Sequence, residues 1–238
     1  MAIVLINGGA RGIGRAMVKA FCDCGHSVAF TYKKSDKEAK ELSLLTGALA
    51  IKADSASEED VVTAVKTVRK KLGSVNILIN NAAVSSFSLF TDITLEEWNN
   101  IFSINVTGAF LYSKATLPDM INAKTGRIIN VSSMWGITGS SCEVHYSATK
   151  AALIGMTKAL AKEVGPSNIT VNCIAPGVVD TDMNKSLSRE DMDSLVSETP
   201  LMRIASPEEI ADAALFLASD KASFITGEVL NVNGGFLI

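Results

Sequence analysis

Short apolar runs alternate along the chain with longer segments in which apolar positions recur every three or four residues. Runs without polar alternation are typical of strands buried on both faces of a parallel sheet, and the longer segments are typical of amphipathic helices. This alternation predicts an α/β fold with a single doubly wound parallel sheet of about seven strands and helices on both faces. The predicted strands span residues 3–6, 27–32, 48–53, 75–79, 126–131, 169–174 and 229–232.

The segments between these runs predict helices with identifiable starts. Ser57 is expected to cap one helix, with Asp60 in the acidic position of a capping box. A long helix is predicted from Thr94 to about Asn122, and Pro118 stands late in it as a position for a kink.

The chain shows no linker and no internal repeat, so we expect residues 1–238 to form a single domain. The polar segment 178–206 has the length of a substrate lid. An amphipathic stretch around residues 187–196 predicts a helix within that lid.

The composition fits a folded protein without a membrane or nucleic-acid partner. Of 238 residues, 47% are hydrophobic and 20% charged, and the net charge is −3, which excludes disorder and offers no basic surface to a polyanion. No apolar run reaches the ~18 residues of a membrane helix, and the N-terminus is typical of a strand rather than a signal peptide. The spacing of the four cysteines fits neither a zinc site nor a disulfide framework. We therefore expect free thiols in a cytoplasmic protein, and no metal.

A glycine-rich loop follows the first strand and precedes a helical segment beginning near Arg15. Gly8, Gly12 and Gly14 stand in this loop. Glycines let the backbone approach a pyrophosphate, and a helix N-terminus supplies free N–H groups and a positive dipole. The spacing differs from the Gly-x-Gly-x-x-Gly dinucleotide fingerprint, so a purely structural turn is the alternative. The context between strand and helix favours a Rossmann-like dinucleotide site.

Cationic side chains at the end of the second strand indicate a phosphorylated cofactor. An NAD enzyme usually places an acid there for the ribose 2′-OH, whereas this chain has Lys33 and Lys34. Together with Arg11 of the glycine loop they suit a 2′-phosphate and therefore NADP; the alternative is that both lysines are solvated loop charges. After the third strand, Asp54 can accept a hydrogen bond from an adenine amine or cap the next segment, and Ser55 follows it.

Tyr146 and Lys150 stand four residues apart at the start of an apolar helical run. Residues four apart lie on one face of a helix, so the phenol and the ammonium are expected side by side. Because a neighbouring cation favours the phenolate, we expect Lys150 to lower the pKa of Tyr146 from its ordinary value of ~10. Such a pair suits proton transfer, and a chance pairing on an exposed helix is the alternative.

Several short motifs stand in a fixed order at the ends of the predicted strands and in the helices between them. They are Gly8-x-x-x-Gly12-Ile13-Gly14, Asn80-Asn81-Ala82, Asn105, Ser133, Tyr146-x-x-x-Lys150 and Pro176-Gly177. In these motifs the chain resembles the short-chain dehydrogenase/reductase family over essentially its full length. Residues 9–15, 126–130 and 232–235 make it most similar to the 3-oxoacyl-[acyl-carrier-protein] reductases of that family. The resemblance implies an NADPH-dependent homotetramer that reduces a 3-oxoacyl thioester in fatty acid biosynthesis.

The resemblance also implies roles for individual residues. Tyr146 would be the general acid that protonates the carbonyl oxygen, and Lys150 would hold the nicotinamide ribose. Ser133 would hydrogen-bond the carbonyl, and Asn105 would help to hold Lys150 through a water relay. The expected cofactor contacts are Gly8, Arg11, Gly12, Ile13, Gly14, Lys33, Lys34, Asp54, Ser55, Asn81, Ala82, Tyr146, Lys150, Pro176, Gly177, Val179 and Thr181.

Two positions depart from the family pattern: Asn7 stands where Thr is usual, and Ala83 stands where Gly is frequent. Asn7 can still donate and accept hydrogen bonds, so cofactor binding is expected to survive. The Ala83 methyl is expected to narrow the edge of the site near the bound ring. Neither position touches the proton chemistry.

The substrate is less defined than the reaction. Lys124 and Arg127 are candidates for a basic rim that would hold acyl carrier protein, while the turn at residues 165–168 lacks the basic residue expected of a carrier-protein reductase. The alternatives are a reductase of another ketone, sugar, polyol or steroid, and a non-catalytic NADP sensor. An apolar cleft wall suited to an acyl chain or a cyclic ketone is expected from Met134, Trp135, Ile137, Val178, Met183 and Leu187.

Overall fold

The computed structural model describes residues 1–184 and 188–237, and its strands form one seven-stranded sheet. The strand order is β3-β2-β1-β4-β5-β6-β7, and every neighbouring pair is parallel. The sheet confirms the predicted doubly wound α/β fold, and its strand order reverses between β1 and β4, where such folds bind ligands. The strands are β1 (Ile3–Asn7), β2 (Ser27–Tyr32), β3 (Leu49–Lys52), β4 (Ile77–Asn80), β5 (Gly126–Val131), β6 (Ile169–Pro176) and β7 (Val229–Val232).

Helices cover both faces of the sheet, as predicted. One apolar core packs helices α1, α2 and α9 against one face, and a second packs α3, α5 and α7 against the other. In the described part of the chain, no helix combines the length and the apolar character needed to cross a membrane. The α-helices are α1 (Gly12–Asp23), α2 (Asp36–Thr46), α3 (Glu58–Lys71), α4 (Leu95–Phe102), α5 (Gly108–Ala123), α6 (Trp135–Thr138), α7 (Val144–Val164), α8 (Arg189–Glu198) and α9 (Pro207–Ala218).

The long helix predicted from Thr94 is wrong in one respect, because a π-helical turn at Ser103–Thr107 separates α4 from α5. This turn carries Asn105, which is 1% exposed and bonded to backbone outside the helix. π turns insert one extra residue per turn and often occur at functional sites. Pro118 lies inside α5 and does not end it.

The capping box expected at the start of α3 is only half formed. The Ser57 side chain accepts a hydrogen bond from the Asp60 amide, as predicted. The Asp60 carboxylate, however, accepts from the Asp54 amide at 2.8 Å instead of from Ser57. Asp60 therefore fixes the loop after β3, which lies at the ligand-binding edge of the sheet.

The segment predicted as a lid is closed at its base by a parallel bridge between Val179 and Ala205. It contains α8, which begins with a complete capping box between Ser188 and Asp191. The predicted amphipathic stretch begins at Leu187, which lies outside the described residues. Its remainder, from residue 189 onward, is helical as expected.

Candidate active site

A cavity of about 1200 Å³ opens at the carboxyl ends of the strands. It is lined by every predicted cofactor contact and by Ser133, whereas Asn105 lies outside its wall. Met134, Trp135, Val178 and Met183 belong to the lining, but Ile137 does not and is 46% exposed. The other predicted wall residue, Leu187, lies outside the described residues. The structure thus brings together predicted residues that are up to 175 positions apart, from Gly8 to Met183.

The glycine loop presents an open helix end to this cavity. Helix α1 starts at Gly12, three residues earlier than predicted, and no side chain caps its N-terminus. The unpaired N–H groups and the helix dipole therefore favour an anion there. Gly12 has φ +50°, and a Cβ on it would lie 3.3 Å from Thr181 Cγ2, in the segment predicted as a lid. A Cβ on Gly14 would collide with the carbonyl of Gly8, so packing excludes a side chain at this position.

The predicted phosphate-binding cations have carboxylate neighbours. Lys33 Nζ lies 2.5 Å from Asp54 Oδ2, and Arg11 Nη1 lies 3.7 Å from Asp182 Oδ2. Burial opposes ionisation of Asp54, but the hydrogen bonds from Lys33 and Ala56 outweigh it and hold the pKa of Asp54 below its ordinary value. Asp54 is therefore a charged partner of Lys33 in this structure, in addition to lining the cavity.

A row of buried asparagines crosses the sheet below the cavity, and the sequence analysis missed it. Asn7, Asn80 and Asn130 are in register at the ends of β1, β4 and β5. Asn7 Nδ2 donates to Asn80 Oδ1 at 3.0 Å, Asn80 Nδ2 to Asn130 Oδ1 at 2.9 Å, and Asn130 Nδ2 to Thr157 Oγ1 of α7 at 2.8 Å. In the sequence, an asparagine stands near the end of each of these three predicted strands. That the three asparagines are neighbours follows only from the register of the strands.

Asn7 also ties the glycine loop to the loop after β4. Its Oδ1 accepts the amides of Asn81 and Ala82, both at 2.6 Å. The Asn81 side chain in turn donates to the Gly8 carbonyl at 2.9 Å. Asn7 therefore both donates and accepts hydrogen bonds, as expected. Asn81 lines the cavity, but its side-chain amide donates to the protein backbone.

Tyr146 and Lys150 lie together on α7, as their spacing predicts. They are 8% and 2% exposed, and Lys150 Nζ lies 5.4 Å from the centre of the Tyr146 ring. Lys150 Nζ donates to the Val131 carbonyl at 2.8 Å. Ser132 Oγ donates to the Lys150 carbonyl at 2.8 Å, which fixes the loop after β5 against α7 and places Ser133 in the same cavity.

The expected lowering of the Tyr146 pKa is wrong for this structure. Burial raises the pKa of Tyr146 well above its ordinary value, and the negative charge of Glu143 adds to the rise; the Ser133 hydroxyl opposes both. Burial also lowers the pKa of Lys150 to about 8. Desolvation thus outweighs the lowering that the spacing suggested, because both side chains are largely buried.

Asn105 does not line the cavity, but hydrogen bonds connect it to residues near the cavity wall. Its Oδ1 accepts from the Val84 amide at 2.9 Å, and its Nδ2 donates to the Val84 carbonyl at 2.9 Å and to Thr149 Oγ1 at 3.0 Å. Thr149 precedes Lys150 on α7, so Asn105 joins the loop after β4 to the helix that carries the tyrosine–lysine pair. Among the described residues, the hydrogen bonds of Asn105 go to Val84 and Thr149, and that of Lys150 Nζ goes to Val131.

The proposed basic rim is wrong. Lys124 and Arg127 lie at the amino end of β5, whereas the cavity is at the carboxyl ends of the strands. Arg127 faces Asp220 at 3.7 Å. The turn at residues 165–168 likewise precedes β6, so its lack of charge has no bearing on the mouth of the cavity.

Comparisons with known proteins agree with the fold and with the motifs. A family model described as enoyl-(acyl carrier protein) reductase, of the short-chain alcohol dehydrogenase type, matches residues 8–237. The chain is 40% identical to the 3-oxoacyl-[acyl-carrier-protein] reductases FabG of Aquifex aeolicus and of Escherichia coli, each over 238 residues that cover 98% of this chain and 96% of the relative. A mutant short-chain dehydrogenase/reductase from Serratia marcescens superimposes with a TM-score of 0.92 at 34% identity, covering 99% of this chain and 97% of that one. The chain therefore belongs to the short-chain dehydrogenase/reductase family of oxidoreductases.

Proposed function

We propose that the protein catalyses the NADPH-dependent reduction of a 3-oxoacyl thioester to the 3-hydroxyacyl product. The observation that carries this proposal is the grouping of Ser133, Tyr146 and Lys150 in the wall of one large cavity at the ends of the strands. The named activity of the relatives supplies the substrate class, and the cavity wall formed by Met134 and Trp135 is apolar enough for an acyl chain.

The cofactor part of the proposal rests on two features of the cavity. The uncapped N-terminus of α1 suits a pyrophosphate, and Arg11, Lys33 and Lys34 line the same end of the cavity and suit a 2′-phosphate. Arg11 and Lys33 each lie near a carboxylate that offsets part of their charge. Among the described residues Lys34 forms no such ion pair, so its charge is the least compensated of the three. When bound, reduced nicotinamide supplies the hydride.

The residues of this chain supply orientation and the proton. Ser133 donates a hydrogen bond to the substrate carbonyl and fixes its direction. Tyr146 gives its phenolic proton to the carbonyl oxygen as negative charge develops there. The raised pKa of Tyr146 means that the phenol carries this proton at neutral pH. Lys150 remains largely protonated at neutral pH, since its pKa is about 8, and its ammonium stabilises the phenolate that forms.

Further parts of the proposal follow from the resemblance. A homotetramer would have its interfaces at the predicted helix that contains Asn105, now α4 and α5, at α7 with Tyr146, and at β7. Leu95 of α4 and Phe110 of α5 are exposed apolar side chains there, at 74% and 49%. A cytoplasmic location agrees with the free thiols of all four cysteines. Light scattering coupled to size exclusion tests the oligomeric state.

The experiment that tests the function measures NADPH oxidation by the purified full chain. Acetoacetyl-CoA, acetoacetyl-acyl-carrier protein and a panel of simple ketones and sugars are compared, each with NADPH and with NADH. Turnover of the thioesters with NADPH supports the proposal, and faster turnover on the carrier protein identifies that protein as the partner. Turnover of another carbonyl compound alone would agree with the mechanism and refute the proposed substrate class. NADPH binding without turnover of any compound would refute the proposal that the protein is an enzyme.

A further inference from the structure

Two hydrogen bonds join the loop after β4 to the start of α7, the helix that carries the proposed general acid Tyr146. Ser85 Oγ donates to Glu143 Oε1 at 2.6 Å, and Ser86 Oγ lies 2.7 Å from His145 Nε2. Glu143 directly precedes α7, and its carbonyl accepts a backbone hydrogen bond from the first turn of that helix. Ser85, Ser86 and Glu143 all line the cavity. The mechanism above uses none of these three side chains.

The Glu143 carboxylate keeps acceptor capacity for a ligand in the cavity. Its bond from Ser85 has the length of a hydrogen bond to an ionised carboxylate. Within residues 1–184 and 188–237, neither lysine nor arginine forms an ion pair with Glu143. Burial raises the pKa of Glu143, and the hydroxyls of Ser85 and Ser140 oppose this rise. A carboxylate accepts about four hydrogen bonds, so these two hydroxyls leave part of its capacity unused.

Ser86 supplies a hydrogen-bond donor beside this acceptor. His145 is 1% exposed, and in the part of the chain that the structure describes its Nδ1 has no hydrogen-bond partner. A buried N–H group without an acceptor is rarer than a buried acceptor without a donor. The ring hydrogen is therefore assigned to Nε2, which donates it to Ser86 Oγ. The hydroxyl hydrogen of Ser86, an exposed residue of the cavity wall, then remains available to a ligand.

We propose that Glu143 and Ser86 bind an amide group in the thiol part of the substrate. The Glu143 carboxylate accepts the amide N–H, and the Ser86 hydroxyl donates to the amide oxygen. This inference rests on the proposed reduction of a 3-oxoacyl thioester and specifies its substrate class: the acyl group is carried on an amide-bearing arm. Simple ketones, polyols and plain esters lack the group that this pair recognises.

The position of the pair fits the length of such a substrate. Glu143 and Tyr146 are three residues apart, and side chains at this spacing lie about 5–6 Å apart on a helix surface. In the 3-oxoacyl thioester of an N-acylated cysteamine, six bonds join the carbon that is reduced to the amide nitrogen. A chain of that length spans the separation, so the carbonyl can contact Tyr146 and Ser133 while the amide contacts Glu143.

The test compares three acetoacetyl thioesters of equal chain length with the purified full chain and NADPH. The first has an N-acetylcysteamine arm, which contains an amide. The second has an ester oxygen in place of the amide N–H, and the third has an S-pentyl arm with neither group. We expect kcat/KM to fall by about tenfold from the amide to the ester and by about a further fivefold to the S-pentyl compound, since bonds to charged groups are the stronger ones. The change should lie mainly in KM, because the amide is remote from the reacting carbon.

Two variants separate the donor from the acceptor. Glu143→Ala should abolish the preference for the amide over the ester, whereas Ser86→Ala should abolish only the preference for the ester over the S-pentyl compound. Glu143→Gln keeps a neutral acceptor and should restore part of the first preference; it replaces Glu143→Ala if that protein does not fold. Ser88→Ala, on the same loop, and Glu96→Ala, on α4, are matched controls that should keep both preferences, because neither residue lines the cavity.

Equal kcat/KM values for the three thioesters in the wild type would overturn the inference, and so would variants that slow all three by the same factor. Calorimetry with NADPH-bound Tyr146→Phe measures thioester binding without turnover, and the dissociation constants should follow the same order. If the wild type reduced none of the thioesters but this order of binding remained, the proposed function would be refuted and the amide site retained.

Discussion

Burial of the Lys150 ammonium is expected to lower the free energy of unfolding of the protein. Its ammonium is 2% exposed, and its pKa of about 8 lies well below the 10.5 of a free lysine. Each tenfold change in proton affinity is worth about 1.4 kcal/mol, so burying the charged form costs about 3 kcal/mol at neutral pH. Replacement by methionine removes that cost but leaves the Val131 carbonyl without its donor, which costs about 1 kcal/mol. Lys150→Met should therefore be more stable by about 2 kcal/mol at pH 7.

The sign of the pH dependence follows from the direction of the shift. The folded pKa of Lys150 lies below the unfolded value, so the penalty is complete below pH 8 and disappears as pH rises through 10.5. The advantage of Lys150→Met should shrink over that window. Urea unfolding of cofactor-free protein at pH 7 and pH 10, followed by circular dichroism at one protein concentration, measures this difference.

Lys158 provides the matched control, because it is an exposed lysine of the same helix. Lys158→Met should change the free energy of unfolding by no more than about 0.5 kcal/mol at either pH. The reasoning would be refuted by a Lys150→Met protein that is less stable than the wild type at pH 7, or by an advantage that grows with pH. Loss of reductase activity in the more stable Lys150→Met protein would show that Lys150 supports activity while lowering stability.

Three further outcomes are expected. Tyr146→Phe should abolish carbonyl reduction, while the Kd for NADPH, measured by fluorescence titration, should change less than about threefold because the phenyl ring still fills its place. Loss of NADPH binding would mean that the role assigned to Tyr146 of α7 is wrong. Lys34→Ala should weaken NADPH binding by about fivefold and leave NADH binding unchanged, because an exposed phosphate–ammonium contact contributes about 1 kcal/mol. Equal weakening of both would exclude a 2′-phosphate contact. Asn7→Ala should lower the free energy of unfolding by about 2–4 kcal/mol, because the amides of Asn81 and Ala82 lose their acceptor; a loss below 1 kcal/mol would show that water replaces it.

Local apolar patterning was sufficient to predict the sheet. The bounds of β2, β5 and β7 agree with the apolar runs to the residue. The π turn at Ser103–Thr107 could not be predicted, because it accompanies the hydrogen bonds of Asn105 to Val84, a contact between residues 21 positions apart. Helical periodicity contains no information about such a contact.

The site was predicted as a set of residues but not as an electrostatic environment. Spacing alone placed Tyr146 and Lys150 side by side, yet the direction of the Tyr146 pKa depends mainly on burial, which only the folded chain reveals. The error over Lys124 and Arg127 was avoidable, since residues that precede a parallel strand lie at the edge opposite the ligand. Chain order within a strand–helix unit already contains that information.

The asparagine row that joins β1, β4, β5 and α7 has a consequence for how this sequence can change. An apolar side chain in place of Asn80 would leave the Asn7 amide without its acceptor, whereas the Asn80 amide would keep Ser113 Oγ as an acceptor if Asn130 were replaced. Exchange of all three residues for apolar ones would remove the row but would still leave the backbone amides of Asn81 and Ala82 without the Asn7 oxygen that they donate to. Asn7 is therefore the member of the row that is hardest to replace, because its side chain bonds both to Asn80 and to the loop after β4.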